Sequence, residues 1–213
     1  MKTFVIIPVK RFENSKTRLS SILSTGERAQ LAELMLQDTL AALGPLRLDT
    51  VVVSSDGRAR EIAKKYGADF LLEERDSGVN AAVRLADEYC IKAGAEATIV
   101  VPEDLPLLNA HDIDAVRTMA SVDARCIVIC PSARYDGTNV LLRKPPSAIA
   151  THYDNDSYKM HLEAAKDAGV PLHVAKIEKL MFDIDTPSDA ALLVKMKDVG
   201  ARATLEFLLR RVA

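Results

Sequence analysis

The chain predicts an α/β fold built on a mostly parallel sheet with helices on both faces. Three observations carry this expectation. Short runs rich in Val and Ile alternate with helical patterns along the whole length, and such alternation packs as a parallel sheet covered on both sides. Hydrophobic residues make up 48% of the 213 residues, enough for a core of domain size. Several of the runs end in charged or hydroxyl residues, at the strand ends where ligands of such sheets are bound. No repeat, linker or low-complexity stretch interrupts the pattern, so residues 1–213 read as a single domain.

Residues 4–9 are apolar and β-branched and predict a buried first strand. A polar loop follows. Ser24 and Glu27 then form a capping box for a helix through Leu43, with Leu31, Leu34, Met35 and Leu43 as its apolar stripe and Gly44-Pro45 as its stop. Residues 50–54 predict the second strand. A short helix with Ile62, Ala63 and Tyr66 inward ends at Gly67, and residues 69–72 predict a third strand. A loop with Gly78 and Asn80 leads into a helix ending near Gly94, and residues 97–101 deliver the chain to Glu103 and Asp104. Asn109 caps the next helix, through Ala120, with Asp112 in its first turn. Strands are expected at 127–129 and 140–142, around a turn-rich segment at 134–139. A helix is expected over 154–168, and short strands at 172–175 and 181–184. Thr186, Pro187 and Asp189 mark a strong helix start, and further helix closes the chain.

Composition excludes several classes. The formal net charge of −2 argues against a general nucleic-acid binder, which carries a broad basic face. No apolar run has the length of a membrane span, and the apolar start is too short for a signal peptide core, so a cytoplasmic protein is expected. Cys90, Cys126 and Cys130 lack zinc or disulfide spacing. Cys126 and Cys130 share one face of a strand, where core packing accounts for them.

Four groups could carry chemistry. Lys10, Arg11, Lys16 and Arg18 follow the first strand with Glu13 as the one carboxylate among them, at a position where α/β folds hold phosphates. A solvated basic loop is the bland alternative. The loop has no glycine and no P-loop pattern, so side-chain charge rather than backbone must grip the anion. Asp104 follows a strand and precedes Leu105-Pro106; alone it could be a turn residue. Asp183 and Asp185 project to one side of an extended segment, and two like charges there favour a cation between them. Hard cations such as Mg²⁺ take several oxygen ligands, so these three carboxylates together point to a metal. Gly137, Thr138, Asn139 and Ser157 suit a small anion, or equally turn and cap chemistry. His161, one helical turn after Ser157, is the one histidine placed for substrate contact. No GxGxxG is present, which disfavours a dinucleotide dehydrogenase.

Taken in chain order, Ile7-Pro8-Val9-Lys10, Lys16-Thr17-Arg18-Leu19, Asp38-Thr39-Leu40, Val53-Ser54-Ser55-Asp56 and Gly78-Val79-Asn80 form a familiar series. It continues with Pro102-Glu103-Asp104-Leu105-Pro106, Gly137-Thr138-Asn139, Ser157-Tyr158-Lys159-Met160-His161 and Asp183-Ile184-Asp185-Thr186-Pro187. The chain resembles the 2-phospho-L-lactate guanylyltransferases of coenzyme F-420 biosynthesis, within the wider MobA-like nucleotidyltransferases. Glu103 departs from the small residue expected before the Asp-Leu-Pro of that family. The resemblance implies a Rossmann-like, GT-A-type sheet and a reaction in which GTP and (2S)-2-phospholactate give lactyl-2-diphospho-5′-guanosine and pyrophosphate. It implies Mg²⁺ at Asp104, Asp183 and Asp185, with Lys16, Asp104 and Asp185 as the catalytic set. It places GTP near Pro8, Lys10, Lys16, Ser54, Asp56 and Asn80, to which Arg11, Arg18 and Gly78 are added from the same segments. It places the phosphorylated acid near Thr138, Asn139 and Ser157, beside Gly137 and His161, and it admits a homodimer.

The attacking phosphate would be largely dianionic at neutral pH, with a second pKa of about 6. It needs no general base, which agrees with the lack of an obvious catalytic histidine. Rival readings are a sugar-phosphate or molybdopterin nucleotidyltransferase, disfavoured by the missing glycine-rich first loop, and an enzyme of the same kind using phosphoenolpyruvate or 3-phosphoglycerate. A nucleotide-binding regulatory domain without turnover is the third, and the set of carboxylates argues against it.

Overall fold

The computed structural model describes residues 1–196 and 199–212. Its centre is one seven-stranded sheet made of β1 (Thr3–Val9), β2 (Asp49–Ser54), β3 (Asp69–Leu72), β4 (Ala97–Val100), β5 (Cys126–Pro131), β6 (Thr138–Lys144) and β7 (Leu172–Val174). The spatial order is β3-β2-β1-β4-β6-β5-β7. β6 pairs antiparallel with both β4 and β5, and the remaining pairings are parallel. Six strands therefore end on the same side, and β6 begins there.

β1 shows why its sequence makes a central strand. All seven of its residues are buried, and alternate side chains go to opposite faces. Val5, Ile7 and Val9 enter one core cluster with Val52, Ile99, Val128 and Leu142. Phe4 and Ile6 enter the other with Val51, Val53, Ile127 and Leu141. Cys126 and Cys130 lie in the first cluster, on one face as expected, and all three cysteines are free and buried.

The helices are α1 (Thr25–Leu43), α2 (Gly57–Lys65), α3 (Val79–Lys92), α4 (Ala110–Met119), α5 (Ser157–Asp167), α6 (Glu178–Met181), α7 (Pro187–Lys195) and α8 (Arg202–Val212). The caps read from sequence are present. Ser24 and Glu27 close a capping box on α1, Asn109 accepts from the Asp112 N–H, and Thr186 with Asp189 closes a box on α7 with Pro187 at its first turn. A third apolar cluster, with Leu31, Met35, Ile184, Leu193, Phe207 and Leu208, joins α1, α7 and α8. Among the described residues no helix is long and apolar enough to cross a membrane.

Four expectations need correction. The predicted strand at 181–184 is the end of α6 followed by extended chain, because the segment pairs with no strand of the sheet and Ile184 is buried instead in the third apolar cluster. The helix expected from 154 starts at Ser157, after Asp156 in a left-handed conformation. Asn80 lies within α3 rather than in the loop before it. Tyr66 is 37% exposed rather than inward, its ring lying under the Lys65 ammonium.

Candidate active site

The acidic segments far apart in sequence meet through the backbone. The Ile184 N–H donates to the Asp104 carbonyl at 3.1 Å, so the strand-end turn after β4 and the segment before α7 lie side by side. α1 holds the first of these in place: Thr39 Oγ1 donates to the Glu103 carbonyl at 3.0 Å, while Asp38 accepts from the Ala203 and Thr204 N–H groups at the start of α8. The cleft above them has a volume of about 600 Å³, within the range of small-molecule sites.

Lys16 is the central cation. Its Nζ lies 2.5 Å from Asp104 Oδ2 and 3.3 Å from Asp185 Oδ1, and its side chain is only 6% exposed. Arg18 approaches the other oxygen of Asp185 at 3.3 Å. Burial alone would discharge an ammonium. Here Asp104, Asp185 and then Glu103 outweigh it and hold the Lys16 pKa above its usual value. Asp183 has only a more distant cation, Arg134 Nη2 at 3.8 Å. Burial first, then the charges of Asp104 and Asp185, push it up to about 6, against Asn139 and Arg134, which stabilise the carboxylate. Glu103 is raised to about 7, by burial and by Asp104.

The loop that presents Lys16 is stiff without a glycine. Lys16 itself takes the left-handed conformation, φ 52°, at a cost such sites carry when the surroundings fix them. The fixing groups are internal. Asp56 Oδ2 accepts from the Phe12 N–H at 3.1 Å, Arg28 donates to the Ser15 carbonyl at 3.0 Å, and the Phe12 ring is fully buried beneath the Arg58 guanidinium.

The opposite wall comes from β6 and α5. Ser157 Oγ accepts from the Thr138 N–H at 2.8 Å. His161 Nε2 accepts from the His152 N–H at 2.9 Å, so Nδ1 carries the proton and donates to Thr138 Oγ1 at 3.0 Å. Burial, then His152 and Arg143, lower the His161 pKa to about 3, which keeps it neutral. The pairing of β5 with β6 slips between Cys130 and Pro131, the mark of a β-bulge, which re-aims side chains. Thr138 and Asn139 consequently both line the cleft, although successive strand residues normally face opposite ways. Asn139 Nδ2 reaches Asp183 Oδ1 at 3.3 Å and the Leu180 carbonyl at 3.0 Å.

A comparison of the sequence with known families matches residues 3–211 to the family described as guanylyl transferase CofC like. The chain belongs to that family. CofC-like relatives include a phosphoenolpyruvate guanylyltransferase of Conexibacter woesei, 37% identical over 191 residues, covering 89% of this chain and 86% of that protein. A 2-phospho-L-lactate guanylyltransferase of Methanothermobacter thermautotrophicus is 33% identical, covering 91% and 85%. A 3-phospho-D-glycerate guanylyltransferase of Colwellia psychrerythraea is 32% identical, covering 91% of each. Among solved structures, 4-diphosphocytidyl-2C-methyl-D-erythritol synthase overlays with a TM-score of 0.61 at 16% identity, covering 90% of this chain and 96% of that one. A Desulfovibrio desulfuricans G20 protein overlays with a TM-score of 0.77 at 17% identity, covering 98% and 94%; both establish the fold. This CofC-like chain is thus a nucleotidyltransferase with the α/β sheet that its sequence predicts.

Of the residues singled out from sequence, Pro8, Lys10, Lys16, Arg18, Asp104, Gly137, Thr138, Asn139, Ser157, Asp183 and Asp185 line the CofC-like cleft. The others do not, and each has a different task. Ser54 accepts from the Asp56 N–H, and Asp56 caps α2 while bracing the Phe12 loop. Gly78 turns the chain into α3 with φ 88°, a conformation that favours glycine. Asn80 holds the loop before α5 through the Tyr153 N–H and the Asp154 carboxylate. Arg11 is exposed outside the cleft, and His161 stands behind Thr138 rather than in the open. Sequence reasoning passed over Ser132, Arg134, Asp136 and Tyr153, which line the cleft. The turn signal at 134–139 was the hint available for Arg134 and Asp136.

Among the described residues no group of three or more carboxylate, His or Cys ligands is arranged to hold a metal ion. Lys16 Nζ occupies the space between Asp104 and Asp185 as a resident cation.

Proposed function

We propose that this protein transfers the guanylyl group of GTP to the phosphate of 2-phospholactate, releasing pyrophosphate, as a step of coenzyme F-420 biosynthesis. The observation that carries the reading is the convergence of Asp104 and Asp185 on Lys16 in a cleft that Thr138, Asn139 and Ser157 also line. Family membership supports guanylyl transfer, and the relatives' names support a small phosphorylated carboxylic acid as acceptor.

In this reading Lys10, Lys16 and Arg18 receive the triphosphate. The acceptor phosphate attacks the α-phosphorus in line, the bond to the bridging β-phosphate oxygen breaks, and pyrophosphate leaves with that electron pair. Lys16, protonated through the working pH range, stabilises charge developing on the transferring and leaving oxygens. Thr138 and Ser157, ordered by His161, hold the acceptor in reach, and positioning supplies much of the rest. Asp104, Asp183 and Asp185 supply the oxygen donors that Mg²⁺ takes, though as they stand, with Lys16 among them, they are not arranged around an ion. Burial first, and then the charges of Asp104 and Asp185, raise the Asp183 pKa, and a dication would relieve the second of these. When bound, Mg²⁺ would supply further charge stabilisation on the phosphoryl oxygens. Transfer of the Lys16 ammonium from Asp104 and Asp185 to the phosphates would free the carboxylates for that ion.

Phosphoenolpyruvate is the second reading, because three relatives with that name are 35–37% identical to this chain. The deciding experiment measures pyrophosphate release with GTP or ATP against 2-phospholactate, phosphoenolpyruvate and 3-phosphoglycerate in parallel. Turnover with GTP and 2-phospholactate, lost by on the order of 100-fold or more in Asp104→Asn and Asp185→Asn, is the expected result. Full activity in either variant, or in the presence of a chelator, overturns the carboxylate and metal roles. Preference for another acid moves the acceptor assignment, and no release with any of them rejects guanylyl transfer.

A further inference from the structure

Guanylyl transfer as described leaves one cation of the cleft without a task. Lys10, Lys16 and Arg18 all come from the loop after β1, and two of them are engaged with Asp104 and Asp185. The far wall is acidic, with Asp136, Asp154 and Asp156 lining it. Among the described residues, Arg134 is the only cationic side chain lining the cleft that does not belong to the β1 loop. An acceptor carrying a phosphate and a carboxylate brings roughly three negative charges to that wall at neutral pH. Thr138, Asn139 and Ser157 offer hydrogen bonds there but no compensating charge.

The backbone under Arg134 is braced on three sides. The Ala133 N–H donates to the Met181 carbonyl at 2.8 Å, and the Tyr135 N–H to the Ser132 carbonyl at 3.0 Å. Ser132 Oγ is bonded to Asp136 at 2.8 Å and accepts from the Gly137 N–H. Tyr135 adopts φ 60°, strained for a bulky residue, and its ring meets Tyr158 of α5 edge-on at 5.7 Å. The guanidinium at the end of this rigid base is loosely held. It is 46% exposed, with Nε 3.3 Å from Asp136 and Nη2 3.8 Å from Asp183. Ion pairs so exposed are worth little and exchange easily, and among the described residues no carboxylate fills both prongs of the fork.

We propose that Arg134 binds the carboxylate of the acceptor and so sets the preference of this site for phosphorylated acids over phosphate esters without a carboxylate. The assignment rests on the guanylyl-transfer reading above. A planar fork matches a carboxylate in two bonds, which an ammonium cannot do.

The test compares wild type, Arg134→Gln and Arg134→Lys with 2-phospholactate and with isopropyl phosphate, in which a methyl replaces the carboxylate. Isopropyl phosphate is read as a substrate or as a competitive inhibitor. Arg134→Gln should raise the phospholactate KM by on the order of 10- to 100-fold, with the GTP KM unmoved and the isopropyl phosphate constant unchanged. Arg134→Lys should recover only part of the loss. An unmoved phospholactate KM, or an equal loss on isopropyl phosphate, overturns the assignment. Calorimetric titration of phospholactate into both proteins reads the same contact without turnover. An inactive wild type would therefore sink guanylyl transfer while calorimetry still judges Arg134.

Discussion

Lys16 concentrates the chemistry of this site in one side chain. It is buried, left-handed at the backbone and bound to two carboxylates that stand far apart in the chain. Lys16→Met should leave Asp104 without its cation and Asp185 with Arg18 alone, and raise the GTP KM more than the acceptor KM, read from initial rates at varied GTP. His161 gives a test by pH. Its pKa falls from 6.5 to about 3 on folding, so below pH 6.5 the unfolded chain binds a proton that the folded one refuses. The stability it contributes is complete above about pH 6.5 and erodes as pH falls toward 3, by up to about 1.4 kcal/mol per pH unit. Wild type should therefore lose more stability than His161→Gln between pH 6.5 and 4, measured by urea unfolding at each pH. Lys16, Asp104 and Asp185 were legible because each follows a predicted strand, and Asp183 because it alternates with Asp185 on an extended segment. His161 was legible as a neighbour of Ser157, yet helical spacing gives a face and not a depth, so its place behind Thr138 was hidden.

At the level of elements, the β1–α1 loop is held by a partner from another crossover. Asp56 caps α2 through the Arg58 N–H and reaches back to the Phe12 N–H. Asp56→Ala should cost about 1 kcal/mol from the lost cap and, by loosening the loop that carries Lys10 and Lys16, raise the GTP KM with little change for the acceptor. Thermal melts and two-substrate kinetics read the two effects separately. The family resemblance implied nucleotide contact at Asp56; a brace between two loops leaves no local pattern. The β-bulge at Asn139 is silent in the same way, because register belongs to a pair of strands. The caps of α1, α4 and α7 were readable because a cap is a contact within a few residues.

At the scale of the whole molecule, Arg143 ties the sheet to its helical cover. It is 2% exposed in β6 and makes a bidentate pair with Asp87 of α3 at 2.6 and 2.7 Å, with Thr98 alongside. Removing one member of a buried pair strands the other, at about 3–5 kcal/mol. Arg143→Ala should accordingly lower Tm by roughly 10 °C, seen by calorimetry, while Arg143 lies outside the cleft. The parallel core of the sheet was readable from alternating strands and helices. The reversed direction of β6 was not, since a fully buried strand is a continuous apolar run whichever way it points. That reversal has a consequence for how acceptor range could diversify. Because β5 and β6 are joined by a hairpin tip rather than a crossover, residues 132–137 can be lengthened, shortened or exchanged without re-registering any parallel strand. Swapping that tip between homologues with different acceptors should transplant selectivity while the triphosphate-binding rim stays as it was.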